Sequence, residues 1–486
     1  MFSILHISDL HRSKEEPLDN NSLIAALLAD RDRYACETPA VRPPDAIVVS
    51  GDIIQGARIG DPHWRTAMRS QYEVAFDFLD QLCQRFLAGD RKKLIVVPGN
   101  HDVCWNTSFG AMEKVSPADF PKDVRASLLA PDSLFRWSWK DLSLYKIVDL
   151  SAYNTRLKEY WEFFDKFYEG SGFLTGIKRD RGYQLFELLD RRIVVAAFDS
   201  ISGNDCFSYA GSFQRGVIAS CNLSLRDIPH EYELRIGVWH HSIQGPPLRD
   251  DYIDMTQVEE MVGLNFQIGM HGHQHVASAN THYVHLGESQ SMAVVSAGSL
   301  CAGAKELPRG QDRQYNVIVF DDDLKSARVH AREMANGGQF AKKTNGAFSE
   351  GFVRLKWSEK LDVMGRLVNV NDLNSRSAIL RADEALHSND AEGAIEALNS
   401  IKLEPNSHAR NIAIQAGRKL ARWDYLVKVI GVPSSAEEAV ILISSLIKSD
   451  QIDAAEESLK KFTMVDLGTR RGLEEQIAIK KVIKGL

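Results

Sequence analysis

Leu94-Ile95-Val96-Val97-Pro98-Gly99-Asn100-His101-Asp102 is the stretch that decides the architecture. An apolar run rich in β-branched residues stops at Pro98-Gly99, and polar residues begin at once. Runs of this kind read as strands buried on both faces. Two earlier runs obey the same rule: Phe2–Ile7 stops at Ser8-Asp9-Leu10-His11, and Ala46–Val49 stops at Ser50-Gly51-Asp52. Helical patterns over Leu18–Leu28 and Trp64–Leu87 separate the three. Strand–helix–strand alternation predicts an α/β core, and α/β folds place their sites at the carboxyl ends of such strands.

Working outward, further strands are expected at Ile193–Phe198, Leu234–Trp239, Phe266–Met270, Met292–Ser296 and Tyr315–Phe320. Two of these also run into imidazoles, His240-His241 and Gly272-His273-Gln274-His275. Side chains at i and i+2 of an extended segment share a face. An extended tip would therefore aim His273 and His275 at one cavity, whereas adjacent His240 and His241 would point to opposite faces of a continuing strand.

Residues 105–190 are aromatic-rich, with Trp137, Trp139, Tyr160, Trp161, Phe163, Phe164, Phe167 and Tyr168. They read as a helical insertion with a small core of its own, or alternatively as a cap that stacks bases on exposed aromatics. After about Lys356 glycine thins out and apolar residues fall at helical spacing. The domains expected are 1–350, containing the insertion, and an all-α region over 357–486. In the latter, Ala378–Leu386 with Ala391–Leu398, and Glu437–Ile447 with Ile452–Phe462, read as helix pairs, with Ile412–Leu420 and Tyr425–Ile430 between them. Ala394–Leu398 and Ala455–Leu459 resemble one another, in the manner of a degenerate tetratricopeptide-like array. The signature aromatic and proline positions are mostly missing, so a plain helical bundle stays open.

At 486 residues the chain calls for two units. Its 58 Lys+Arg against 65 Asp+Glu, a net charge of −7, argue against a protein that coats nucleic acid by charge alone. A nuclease is not excluded, because metal ions supply positive charge where phosphate binds. Six scattered cysteines without a C-x-x-C pair read as reduced thiols. The first residues lack a signal-peptide pattern, and no apolar run approaches the roughly 18 residues a bilayer span needs. The location expected is cytoplasmic, with no membrane partner.

Taken singly, D-x-H, G-D or H-x-H means little. Together, Asp9-Leu10-His11, Gly51-Asp52, Gly99-Asn100-His101-Asp102, His240 and Gly272-His273-Gln274-His275 each follow a strand, and they combine oxygen and imidazole donors suited to a metal pair. This ordered set resembles the five blocks of the calcineurin-like metallophosphoesterase family over roughly the first 330 residues, Ser296–Ser299 included. The resemblance implies a β-sandwich core flanked by helices. It implies one metal on Asp9, His11 and His275, another on Asn100, His240 and His273, and Asp52 bridging the two. His101 would act on the leaving group with Asp102 orienting its ring; Asn100 and His241 would face substrate. Where the family often carries an acidic residue, this chain has Gln55.

The implied activity is phosphoester hydrolysis by metal-activated hydroxide, with manganese the first choice of metal and Fe, Zn, Ni or Co acceptable to the same donors. The opening Ile4–His11 and the G-N-H-D block resemble the nucleotide phosphodiesterase and nuclease branches. A phosphomonoesterase or protein phosphatase is the alternative enzyme. The alternative of another class is an interaction protein whose helical tail binds a partner or self-associates and whose catalytic domain that partner gates.

Overall fold

In the computed structural model, the described residues are 1–13, 18–130, 133–173, 179–243, 251–283, 291–303, 307–335, 337–357, 378–379, 381–383, 385–386, 390–399, 401–403, 407–462, 465 and 467–484. They fall into two compact units, one over Met1–Tyr283 and Gln290–Lys360, the other mainly over Leu361–Leu486.

The first unit is built on two sheets. Strands β1 (Phe2–Ile7), β2 (Ala46–Ser50) and β3 (Leu94–Val97) lie parallel. The next four strands, β4 (Met112–Lys114), β5 (Phe135–Ser138), β6 (Ser143–Ile147) and β7 (Tyr183–Leu188), precede the parallel set β8 (Ile193–Phe198), β9 (Leu234–Val238) and β10 (Ile268–His271). They are followed by β11 (Ser278–Tyr283), β12 (Ser291–Ser296), β13 (Gln314–Phe320), β14 (Ser326–Ala335), β15 (Gln339–Lys342) and β16 (Val353–Lys356). One sheet runs β15-β14-β13-β1-β2-β3 with β16 also on β14, and the other runs β11-β12-β10-β9-β8-β7.

Side chains of both sheets enter one core, among them Ile7, Val49, Val97, Val195, Ile236 and Met270. Strands β1, β2, β3, β8, β10, β12 and β13 are buried along their whole length, which is why they read as unbroken apolar runs. Helix Asn20–Arg31 contributes Leu23, Ile24 and Leu27 to that core, and helix Trp64–Phe86 contributes Met68, Tyr72, Ala75, Phe78, Leu79 and Leu82.

The 105–190 stretch differs from its reading in two ways. Alongside helices Trp105–Gly110, Val124–Leu129, Leu150–Tyr153 and Lys158–Tyr168 it holds a three-stranded antiparallel sheet, β4-β6-β5. Its densest aromatic run also does not form a core of its own. Tyr160, Phe163, Phe164, Phe167 and Tyr168 are buried in the main core, so they present no face to a base. The separate cluster in this region is small, with Met112, Tyr145, Ile147, Tyr153 and Cys206.

In the second unit, helices run over Ala391–Leu398, His408–Lys419, Trp423–Ile430, Ala436–Lys448, Ile452–Lys461 and Leu467–Lys484. The expected helix at 378–386 lies only partly within the described residues, which are helical there. Among the described residues two apolar clusters lie in the unit, one around Ile395, Leu398 and Ile412, the other around Leu426, Leu442, Leu446 and Leu459. Arg410 and Glu438, both buried, pair at 3.0 Å. No helix among the described residues is long and apolar enough to cross a membrane.

One buried ionic network ties helix Asn20–Arg31 to the sheet. Arg332 on β14 donates to both oxygens of Asp30, at 2.6 and 2.8 Å, and lies 2.7 Å from Glu37. Tyr315 donates to Asp30 and shares a 2.8 Å hydroxyl contact with Tyr34. Removing one member strands the other charge in a dry site, a loss of about 3–5 kcal/mol. Asp30→Ala should therefore lower the urea midpoint by that equivalent, while the double variant Asp30→Leu/Arg332→Met should recover much of it.

Candidate metal centre

The ladder between β1 and β2 does not stop where the strands end. Asp9 N–H donates to Gly51 O at 3.1 Å, His11 N–H to Asp52 O at 3.0 Å, and Arg12 N–H to Ile53 O at 3.0 Å. This pairing carries Asp9, His11 and Asp52 side by side beyond the carboxyl end of the sheet. On the other sheet Gly272 N–H donates to His240 O at 3.0 Å and aligns the two histidine blocks. Asp9, His11, Asp52 and His240 are all at most 2% exposed.

The seven candidate ligands form two groups that meet at Asp52. In one, Asn100 Oδ1 lies 2.9 Å from His240 Nε2 and 3.1 Å from His273 Nδ1, and the two imidazole nitrogens are 3.2 Å apart. In the other, Asp9 Oδ1 lies 3.3 Å from His275 Nε2. Asp52 Oδ2 stands 3.3 Å from His240 Nε2 and 3.7 Å from His11 Nε2, so one oxygen addresses both groups. Donor atoms of Asp9, His11 and His275 lie within 4.8 Å of one another, as do those of Asp9, Asp52 and His240, and of His11, Asp52 and His101.

These residues fit a divalent metal pair on two observations. Asp9 Oδ1 and both ring nitrogens of His11 are buried without a hydrogen-bond partner, a costly state unless something else satisfies them. The donors are carboxylate, amide oxygen and imidazole, which suit hard-to-borderline cations.

Backbone conformation explains how so many donors converge. Asp9, His11, Asp52, His273 and His275 all have positive φ, between 44° and 75°. Side chains other than glycine rarely adopt this region, and such residues gather at functional sites. His273 and His275 are consequently not on an extended tip as their spacing suggested. Each sits in a left-handed turn, and they serve different groups: His273 faces Asn100 and His240, and His275 faces Asp9. Glycines make the room. A Cβ on Gly272 would overlap Ser8 and Asp9, one on Gly99 would overlap Asp52, and one on Gly51 would come within 2.5 Å of His240 Nδ1.

Two further expectations are corrected. Asp102 does not orient His101. Its carboxylate accepts from Ile53 N–H, Gly99 N–H and Tyr72 O–H, fastening two ligand loops to helix Trp64–Phe86, while His101 Nδ1 donates to Gln55 O at 2.8 Å. Burial and the charge of Asp52 push the Asp102 carboxyl up to about 7. His240 and His241, moreover, do not diverge, because β9 ends at Val238 and strand alternation lapses. The His241 ring lies edge-on to His240, 5.2 Å away, and 4.8 Å from His273, with Nε2 buried and unpartnered.

The supporting residues carry little sequence signal. Ser50 O accepts from His240 Nδ1 at 2.9 Å, which leaves Nε2 to face Asn100. Ser200 Oγ, from the end of β8, accepts from the backbone N–H of both His240 and His241 and donates to His241 Nδ1 at 3.0 Å. Asp251 stands 3.5 Å from His273 Nε2. Only Ser50, next to Gly51-Asp52, lies near a motif; Ser200 is 40 residues from the histidines it holds.

A model of the calcineurin-like phosphoesterase family matches residues 2–277. The chain belongs to that family and is a hydrolase acting on phosphoesters. Among solved structures it is similar to a dimetal phosphatase from Danio rerio (13% identity, 74% of this chain and 99% of that one, TM-score 0.38). It is also similar to the calcineurin-like phosphoesterase YfkN from Bacillus subtilis (14%, 81% and 98%, 0.30) and to a 5'-nucleotidase from Candida albicans (13%, 66% and 47%, 0.31). No curated protein matches the sequence.

Burial alone would hold the His240 imidazolium down, but Asp52 and Asp9 outweigh it and raise this group to about 9. A metal needs the neutral ring, so binding at neutral pH must expel that proton. Affinity should rise with pH up to about 9, with the His275 imidazolium, which Asp9 raises against its burial, adding to the proton release. Calorimetry of Mn binding in buffers of different ionisation enthalpy should show proton release at pH 7 and much less in His240→Asn. Ser200→Ala should weaken metal binding by about 10- to 100-fold, with Ser200→Thr keeping most of it.

Proposed function

We propose that the chain is a two-metal phosphodiesterase acting on nucleotide-type diesters. The observation that carries this reading is the position of Asp52 Oδ2 between the two donor groups, with His101 beside them at the edge of an open cavity. Asp9, His11 and His275 would hold one ion and Asn100, His240 and His273 the other, with Asp52 shared. Mn is the metal we favour in vitro. Bound there, the ions would polarise the phosphoryl oxygens and acidify a water.

The chain's own residues do the rest. Ser50 and Ser200 hold His240 in place through the bonds described above. Gln55 O accepts a hydrogen bond from His101 Nδ1–H, so Nε2 is the nitrogen that meets substrate. Protonated, that nitrogen delivers its proton to the departing oxygen as the P–O bond breaks. The His101 backbone N–H donates to Asp52 Oδ1 at 2.9 Å, linking the acid's position to that of the bridging carboxylate. We also assign Asn100 and His241 to contact with the phosphoryl group. We assign the C-terminal helices, as a tetratricopeptide-like array, to partner binding or self-association; the succession of short helices around two apolar clusters supports this.

His101→Ala should keep two metals per chain by elemental analysis while kcat falls about 10²- to 10⁴-fold. Loss of metal would instead make His101 a ligand, as its proximity to His11 and Asp52 allows. With Mn, wild type should hydrolyse bis(p-nitrophenyl) phosphate faster than p-nitrophenyl phosphate. Activity on the monoester alone would overturn the diesterase reading in favour of a phosphatase.

A further inference from the structure

A cavity of about 660 Å³ has His101 in its lining. Its lining includes the loop from Gln55 to Arg58, Ala67, Ser70 and Gln71 of helix Trp64–Phe86, and Trp105. The volume lies in the range of pockets that enclose a whole organic ligand, well beyond what a water or a small alcohol fills.

The loop wall is preformed. Gln71 spends both ends of its amide on Gly56, accepting from the N–H at 2.9 Å and donating to the carbonyl at 3.0 Å. Asn106 does the same one step further on, donating to Arg58 O at 2.9 Å and accepting from Gly60 N–H at 2.8 Å. Gly56 has φ +79°, and a Cβ there would press on His101 O at 2.9 Å, so glycine is what lets the loop lie against the catalytic segment. A wall clamped in this way pays little ordering cost when a ligand enters.

The lining also defines the ligand's chemistry. Trp105, half-buried, lies with its ring centroid 6.3 Å from that of His101, and the exposed ring of Tyr209 backs it at 5.7 Å. Among the described lining side chains Arg58 and Asp61 carry opposite charges. Ser13 and Ser70 bring hydroxyl groups to the same lining. A flat, uncharged, hydrogen-bonding heterocycle suits such a lining.

We propose that this cavity is the leaving-group subsite and takes a nucleoside, its base against Trp105 and its esterified oxygen at His101 Nε2. The assignment rests on the diesterase reading above and says which side of the diester departs. Water adds to phosphorus, the P–O bond to the nucleoside breaks, its electron pair stays on the nucleoside oxygen, and the His101 proton completes the hydroxyl. Trp105 is then a specificity-determining residue that touches the departing base.

Equilibrium dialysis of adenosine against the full-length, Mn-loaded chain tests the pocket without catalysis. Wild type should bind adenosine, Trp105→Ala should weaken binding by about 5- to 150-fold, and Trp105→Phe should restore most of it. Tyr209→Ala, which alters an exposed ring, should give a smaller loss with the fold intact by circular dichroism. Inorganic phosphate should inhibit turnover of bis(p-nitrophenyl) phosphate equally in all four proteins, showing that the metal site is undisturbed. Equal adenosine binding by wild type and Trp105→Ala, or N-acetyltyrosinamide or ribose binding as tightly as adenosine, would overturn the proposal. Absence of diester turnover with adenosine binding intact would sink the diesterase reading and leave a nucleoside pocket. Turnover without adenosine binding would do the reverse.

Discussion

Two carboxylates, Asp9 and Asp52, are buried beside each other at the mouth of the sandwich, and the rest of this region answers to that constraint. Unpaired charges in a dry site cost several kcal/mol each, so the pair is tolerable only with positive charge alongside. Imidazoles supply some of it. Burial works to raise the Asp52 carboxyl, but His240, His101 and His11 together hold it well below the usual carboxylate range. His275 likewise outweighs burial at Asp9. Divalent cations would supply the rest, which is why a donor set this acidic and this dry is better explained by binding than by folding stability.

The same demand reaches into the backbone. Five of the seven donor residues adopt left-handed conformations. Such conformations survive only where the surroundings over-determine them. Here the surroundings are the continued ladder from β1 to β2, the Asp102 carboxylate stapling Gly99 and Ile53 to Tyr72, and glycines at 51, 99 and 272 with no space for a side chain. Each candidate ligand is thus held by elements that themselves belong to the core.

Much of this was legible from residue order. Strands β1, β2, β3, β8, β9, β10, β12 and β13 announce themselves because burial on both faces leaves apolar runs, and the five donor blocks sit at the ends of such runs. Strand β14 was not legible: its sequence mixes Arg328, His330 and Arg332 with apolar residues, and Arg332 is buried only because Asp30 and Glu37 meet it from elsewhere in the chain. The strands β4, β5 and β6 are only three to five residues long, and β4 and β5 are largely unburied, so no periodicity marks them. Local spacing also misjudged His273 and His275, since strand geometry fails where glycine and tertiary contacts impose a turn. Ser200 and the true partners of Asp102 and His101 are tertiary facts, invisible without the fold.

Strand β1 carries a consequence for how the chain becomes active. It lies inside its sheet, parallel to β2 on one side and antiparallel to β13 on the other, with Phe2 opposite Phe320. Its Asp9 finds His275 only across some 266 residues of sequence. Pairings this distant close slowly, because loop entropy must be met before the contacts reward it. The β13-facing edge of β1 stays open until residues near 320 are available, and the candidate donor set is incomplete until His275 arrives. Assembly of the centre therefore requires contacts between segments far apart in the chain.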